Sequence, residues 1–499
     1  MSSQDAPPRA CSLWRASNAL VTALQETLVT PTLNRTLGVP GIVFMVIAAA
    51  APITVVAANF PIIISISGSI GVPTMVLAAT AILLLFAVGF TWMTPRVPDA
   101  GAFYSYVHRG LGRRAGHGTA AIALFSYVLL TVSMTCYLGV QTGNLIQLWL
   151  GFTPPWWLIS AIMLLIVGVL GYRDIELSAK VLGAVLVLEV VAVLAIDLGV
   201  LFNGGSLSAA PLNPAEALVG APGLGLLFAF LGFFGFEATA VFRNEAKDPD
   251  RTVPRATYIA VITIGALYFV SSWLVISGLG VDQAVALSNE APDSIVIQLA
   301  GTVVMPIVAD LVQVLVVTSM FACMLSFHNI VTRYLFTLGQ RGVLPGALAT
   351  VHDKHRAPSR ASLWVSIVTS LVVVVSAIGQ LDPVTQIYTW YSGAGAVGVI
   401  FMMALTSVAV LAYGRRGLTE PASAPRGVMA ASALGGLGLL AVLTISVWNL
   451  PVLVGSLAAS FIWGGALVIV FVAGLMHPER EPERAAVLVA QQESETVAH

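Results

Sequence analysis

The sequence predicts an all-α protein that crosses a membrane about twelve times. Three observations carry this. The chain is 58% hydrophobic and only 9% charged, where a soluble domain carries about 25% charged residues. Its mean hydropathy is +0.91. Its apolar stretches recur at lengths near the roughly 20 residues that a helix needs to cross the hydrocarbon core.

The remaining composition narrows the classes. A net charge of −1 gives no basic face for nucleic acid. Cys11, Cys136 and Cys323 form neither a metal spacing nor a disulfide framework, and neither metal nor cofactor is expected. The polar N-terminal segment 1–38 lacks a short apolar core with a cleavage site, so the first span is read as an uncleaved anchor. Residues 12–34 have the pattern of an amphipathic helix lying on the membrane.

Charge-free runs define the elements. Thr36 to Pro95 carries no charge and is interrupted at Gly68-Ser69-Ile70-Gly71, giving spans 40–66 and 72–94. Ala115 to Tyr172 lacks Asp, Glu, Lys and Arg and is interrupted at Gly151-Phe152-Thr153-Pro154-Pro155, giving spans 116–148 and 156–172. Further spans are placed at 178–202, 221–242, 256–280, 303–338, 361–380, 384–412, 428–448 and 453–476. The acidic tail 477–499 reads as disordered.

Charge gives the array a side. With the N-terminus inside and spans alternating, the inner segments hold 22 of the 23 Lys and Arg residues, and the exception, Arg333, lies near the inner end of span eight. The outer loops hold acids instead: Glu216, Asp282, Glu290, Asp293 and Asp382. The positive-inside rule therefore puts both termini in the cytoplasm of a cell-membrane protein.

Two spans contain helix breakers at membrane depth, where unpaired backbone is costly. Span one reads Ala48-Ala49-Ala50-Ala51-Pro52-Ile53-Thr54, and Pro52 cannot donate to a carbonyl four residues back. Span six reads Gly232-Phe233-Phe234-Gly235-Phe236-Glu237. Taken singly, each is a kink or a packing notch. Spans one and six, however, are equivalent members of two five-span halves with opposite starting sides. Paired breaks in such halves mark an inverted repeat and a midplane binding site.

Local motifs then resemble a known family. Pro98-Asp99-Ala100-Gly101-Ala102-Phe103-Tyr104-Ser105-Tyr106, followed by Gly110 and Gly112, is close to the Pro-x-Gly-Gly-x-Tyr-x-Tyr segment of the amino acid–polyamine–organocation transporters. Gly235-Phe236-Glu237, then Glu245 to Ala256 with Pro249, Arg251 and Pro254, is similar to that family's Gly-Phe-Glu and Glu-x-x-x-Pro-x-Arg-x-x-Pro-x-Ala. Arg333 and Arg341-Gly342-Val343-Leu344-Pro345 resemble its later Ser-Arg and Arg-Asp-Gly-x-x-Pro elements. The resemblance runs from about 38 to 415 and is most specific at span six and its exit.

It implies a LeuT-like 5+5 inverted repeat: a ten-helix core over 39–412 (repeats 39–202 and 218–412) with two extra helices over 427–476. It also implies transport of amino acids, amines or polyamines by alternating access. Substrate would lie between the breaks, against Ala50, Ala51, Pro52, Ile53, Thr54, Gly232, Phe233, Gly235 and Phe236. The chain departs from the family at span one, where Ala50-Ala51-Pro52 replaces a Gly-Ser-Gly break that cradles a carboxylate. It departs again at span five, where Glu189 stands and several proton-coupled relatives carry lysine.

Four acids lie in or near spans: Glu189, Asp197, Glu237 and Asp310. An ionised acid at the centre of a membrane helix costs about 2.5–3.5 kcal/mol. Glu237 is read as proton-responsive or substrate-contacting, with capping of the second half-helix as its structural alternative. Glu189 is a proton carrier, a cation ligand or a structural hydrogen-bond partner. Asp197 reads as interfacial and Asp310 as vestibular or structural. Phe236 is expected to cover substrate. Tyr388, Trp390 and Tyr391 are candidates for an outer gate, Tyr127 and Tyr137 for cavity lining or packing. His328 has no companions for a metal site. The loop 243–256 is expected to lock the inner side against 95–114. A proton is the expected coupling ion, with solute exchange the alternative. A channel lacks a repeated filter motif, a sensor lacks a soluble domain, an intramembrane enzyme lacks a catalytic set, and a six-plus-six transporter lacks the long central loop.

Overall fold

The computed structural model describes residues 37–97, 102–173, 175–203, 206–237, 239, 246–352, 357–416 and 424–477. The segment 12–34, the tail beyond 477 and Pro98 to Gly101 lie outside these. Among the described residues the chain is helical throughout, and 11 helices are long and apolar enough to cross a membrane. In chain order, span one is Val39–Ser67, span two Val72–Arg96, span three Arg113–Leu150, span four Trp156–Arg173 and span five Val185–Asn203. Span seven is Pro249–Leu279, span eight Pro306–Gln340, span nine Ser359–Ile378, span ten Pro383–Arg415, span eleven Arg426–Leu453 and span twelve Leu457–Leu475.

Span six does not join that count. Its helix, Pro222–Leu231, has 10 residues, which reach about 15 Å at 1.5 Å per residue and cannot cross the core. Consecutive turns at Gly232–Glu237 stop it, and of the following stretch to 245 only Thr239 is described. Two segments between spans are also helical. Ala102–Leu111 lies in the inner segment after span two. Ala284–Glu290 and Ile295–Val303 fill the outer segment that the charge pattern left as a loop.

Burial sorts the spans. The most apolar stretch of span one is 83% buried and those of spans three and ten 78%, against 22% for span eleven and 11% for span twelve. Spans one, three and ten are therefore the centre, and the last two are a flank facing lipid. Lipid gives helices no hydrophobic reason to associate, so close packing depends on small residues. A side chain at Gly110 would strike the Ala409 carbonyl, and one at Gly139 would strike Trp156 O and Ser160 Oγ.

Spans one and six run antiparallel at this centre. At one end the Ala221 N–H donates to Ser67 O (2.9 Å), and Ser69 Oγ donates to Glu216 O (2.5 Å). At the other, the Lys247 N–H donates to Leu37 O (2.9 Å), pairing the entry of span one with the exit of span six. Both breaks thus fall at a similar depth in the core.

Candidate functional site

The break in span one is a single left-handed residue. Pro52 has no N–H, and its ring disfavours the α conformation at the residue before it. Helix Val39–Ala50 ends there, Ala51 takes φ 49° and ψ 67°, and the helix resumes at Pro52. Four residues on, Val55–Asn59 widens into a π-helical turn. Pro61 follows directly, another position without an N–H, and such single wide turns concentrate at functional sites.

The break in span six is built from short turns. Phe233 N–H donates to Phe230 O (2.9 Å), Phe234 N–H to Leu231 O (3.1 Å) and Phe236 N–H to Phe233 O (3.2 Å). Gly235 stands at φ 104°, and a Cβ there would lie 2.7 Å from Ala49 Cβ. Only glycine meets both demands, the positive φ and the contact with span one.

Nearly all polar groups released by the breaks have partners. Ala51 N–H donates to Ala48 O (3.1 Å) and Val55 N–H to Ala51 O (3.0 Å). Cys323 Sγ of span eight donates to Ala49 O (3.1 Å), and Tyr268 Oη of span seven donates to Ala50 O (3.1 Å). The Ile53 N–H faces the Glu189 carboxylate, whose Oε2 accepts from Ser319 Oγ (2.7 Å). In span six, Glu237 Oε2 accepts from Gly235 N–H (3.0 Å) and Oε1 from Tyr127 Oη. A carboxyl group thus lies at each break, Glu189 at span one and Glu237 at span six, both fully inside the protein.

Between the breaks is a cavity of ≈ 20 Å³, room for about one water. Span one contributes Ala49, Ala50, Ala51, Thr54, Val55 and Asn59, and span six contributes Leu231 and Gly232. Met134 of span three, Cys323 and Phe327 of span eight and Tyr388 of span ten complete the wall. Thr54 Oγ1 and Asn59 Oδ1 are buried without a hydrogen-bond partner among the described residues, while the Asn59 amide N–H donates to Phe228 O (2.9 Å). Buried polar atoms in such a state are rare and point to a missing partner.

The space is closed on two sides. Tyr388 packs on Tyr137 (4.6 Å between centroids), whose hydroxyl accepts from the Gln141 side-chain amide (2.8 Å). Gln141 in turn accepts from Gln313 (3.0 Å) and donates to Asp293 O (3.3 Å). On the side of helix Ala102–Leu111, Phe236 packs against Phe86 (6.1 Å) and Phe90 (6.3 Å), and Phe90 against Tyr106 (4.8 Å).

Of the residues expected at the site, Ala50, Ala51, Thr54, Gly232 and Tyr388 line the cavity. Pro52 and Ile53 are buried behind that wall. Phe233 packs against Tyr268 (5.9 Å), and Phe236 packs against Phe86 (6.1 Å), outside the cavity lining. Tyr391 bonds Ser376 Oγ (3.0 Å) and packs on Trp463, away from the cavity. Asp197 is not interfacial but 5% exposed, accepting from Ser271 Oγ (2.7 Å), because its face of span five packs on span seven. His328 does have a partner, Ser362 Oγ of span nine at 2.9 Å. The lock expected between 243–256 and 95–114 falls partly outside the described residues; within them Arg251 pairs with Asp248 at 3.9 Å. Ala49, Val55, Asn59, Met134, Leu231, Cys323 and Phe327 line the cavity as well, outside the expected set. Asn59 alone carried a signal, a carboxamide on the face of Ala51 and Val55.

Residues 37–473 match the model of a family described as amino acid permease. Among individual relatives, the chain is 25% identical over 354 residues to the branched-chain amino acid permease BcaP of Lactococcus lactis subsp. cremoris, covering 66% of this chain and 73% of that one. It is 24% identical over 297 residues to the aromatic amino acid transport protein AroP of Escherichia coli K12, covering 57% and 62%. It is 22% identical over 340 residues to the serine/threonine exchanger SteT of Bacillus subtilis, covering 66% and 72%.

Proposed function

The chain belongs to the amino acid permease family, and from that premise we propose that it is a secondary active transporter that carries amino acids across the cell membrane by alternating access, coupled to proton entry. The observation that carries this reading is the cavity between two mutually contacting helix breaks, lined by Tyr388, which packs on Tyr137. A 5+5 repeat with two flanking helices, twelve spans in all, fits the antiparallel spans one and six and the lipid-facing position of spans eleven and twelve. Both termini then lie in the cytoplasm.

The coupling follows from hydrogen-bond supply. Glu189 lies behind the cavity wall, where it faces the Ile53 N–H at the start of a half-helix and accepts from Ser319 of span eight. A helix N-terminus favours an anion. Protonation of Glu189 removes its negative charge and weakens its hold on that half-helix. Glu237 holds span six in the same way through Gly235. Protonating either acid loosens a break, and loosened breaks let the half-helices tilt.

Reconstitution tests this. Proteoliposomes with an alkaline lumen should accumulate labelled amino acid above equilibrium, and a protonophore should abolish the accumulation. An exchanger, favoured by the likeness to a serine/threonine exchanger, would instead need amino acid inside the vesicle and ignore the proton gradient. Absence of uptake for every amino acid would sink the transporter reading.

A further inference from the structure

We propose that the cavity selects amino acids whose side chain is uncharged and apolar, and rejects cationic and anionic amino acids and polyamines. The proposal rests on the transporter reading above and deepens it.

The wall facing the breaks carries no ionisable group except the Cys323 thiol and the Tyr388 phenol, both neutral at physiological pH. The two nearest carboxyl groups cannot serve a substrate cation as they stand. Glu237 has Oε1 on Tyr127 and Oε2 on Gly235 N–H. Glu189 turns to Ser319 and Ile53, on the far side of span one. For an anionic side chain the nearest cation on the span-eight wall is Arg333, six residues beyond Phe327, or roughly 9 Å along the helix.

Apart from Cys323 and Tyr388, the polar side chains of the lining are Thr54 and Asn59 of span one, and both keep an unpartnered oxygen. They suit the polar head of an amino acid. The large apolar side chains of the wall include Met134, Phe327 and Leu231. Methionine is unbranched and polarisable and adapts to apolar groups of varied shape, which fits a cavity that must expand to admit a side chain. A charged end group placed there meets no counter-charge, and burial without one is strongly unfavourable.

Norleucine and lysine isolate the effect, because they share a four-carbon chain and differ by a terminal ammonium. With purified protein in proteoliposomes, unlabelled norleucine should inhibit uptake of labelled leucine, and lysine, glutamate and putrescine should compete at least about 100-fold more weakly, as the insertion cost of a buried charge implies. Met134→Glu should narrow the gap between lysine and norleucine by about 10-fold or more. Phe327→Leu, which adds no charge, should leave it open. Lysine or putrescine competing as well as norleucine in the wild-type protein would overturn the proposal while leaving the transporter intact. Failure of every amino acid to be taken up or to compete would remove both readings.

Discussion

At the scale of single residues, two carboxyl groups inside a membrane protein are explained by the backbone they serve. Glu237 accepts the Gly235 N–H at its helix break and Glu189 faces the Ile53 N–H at the other, which a neutral side chain would do less well, since a charged acceptor contributes about 1.5–3 kcal/mol per bond. The proton role of Glu237 has a sign. If its carboxyl must be protonated to load, uptake by the wild-type protein falls as external pH rises. Glu237→Gln should flatten that dependence between pH 5 and 8 and slow transport about 10- to 100-fold, the size of a lost charged hydrogen bond. Tyr127→Phe, which removes the donor to Oε1, should shift the profile without flattening it. A normal rate with an unchanged profile in Glu237→Gln would end the assignment.

At the scale of elements, the break in span one is held from outside. Ala51 adopts φ 49°, a conformation that costs an L-residue about 1–2 kcal/mol. Cys323, Tyr268 and Glu189, from three other spans, satisfy the groups the break exposes. Melting of the purified protein should separate the two contributions. Ala51→Gly should keep or raise the midpoint, because glycine adopts this geometry without strain. Ala51→Val should lower it by about 1–3 kcal/mol of stability, because a β-branched side chain in that region is an outlier. Equal losses in the two variants would mean that backbone strain at position 51 is not what the melt reads.

At the scale of the whole molecule, orientation and architecture rest on different evidence. Charge alone assigns the sides, and impermeant thiol labelling in cells checks the assignment. With Cys11 changed to Ser, Glu290→Cys should react in intact cells and Arg251→Cys only after permeabilisation; both positions are exposed. The reverse pattern would invert the protein. Architecture comes from contacts. Spans one and six meet because Gly235 leaves room for Ala49, and span eleven is tied to the start of span six, where Gly223 N–H donates to Asn449 Oδ1 (3.2 Å) and Ser446 Oγ donates to Gly223 O (3.0 Å).

The sequence by itself determined that the chain is helical and apolar, because hydropathy is a local property that a bilayer reads without reference to the fold. It also located both breaks, since proline and glycine act on their own backbone. Ala102–Leu111 and the short outer helices escaped it, because they are too short or too polar to register as spans. The tertiary structure alone decided what the breaks face. No periodicity in spans three, seven or eight foretold that Tyr127, Tyr268 and Cys323 would supply the missing hydrogen bonds, or that Met134 and Phe327 would line the cavity. Those are pairings between residues as many as 274 positions apart, and they exist only once the helices have packed. The cavity is therefore a property of the assembled bundle, and the sequence marks its place through the two backbone interruptions that open toward it.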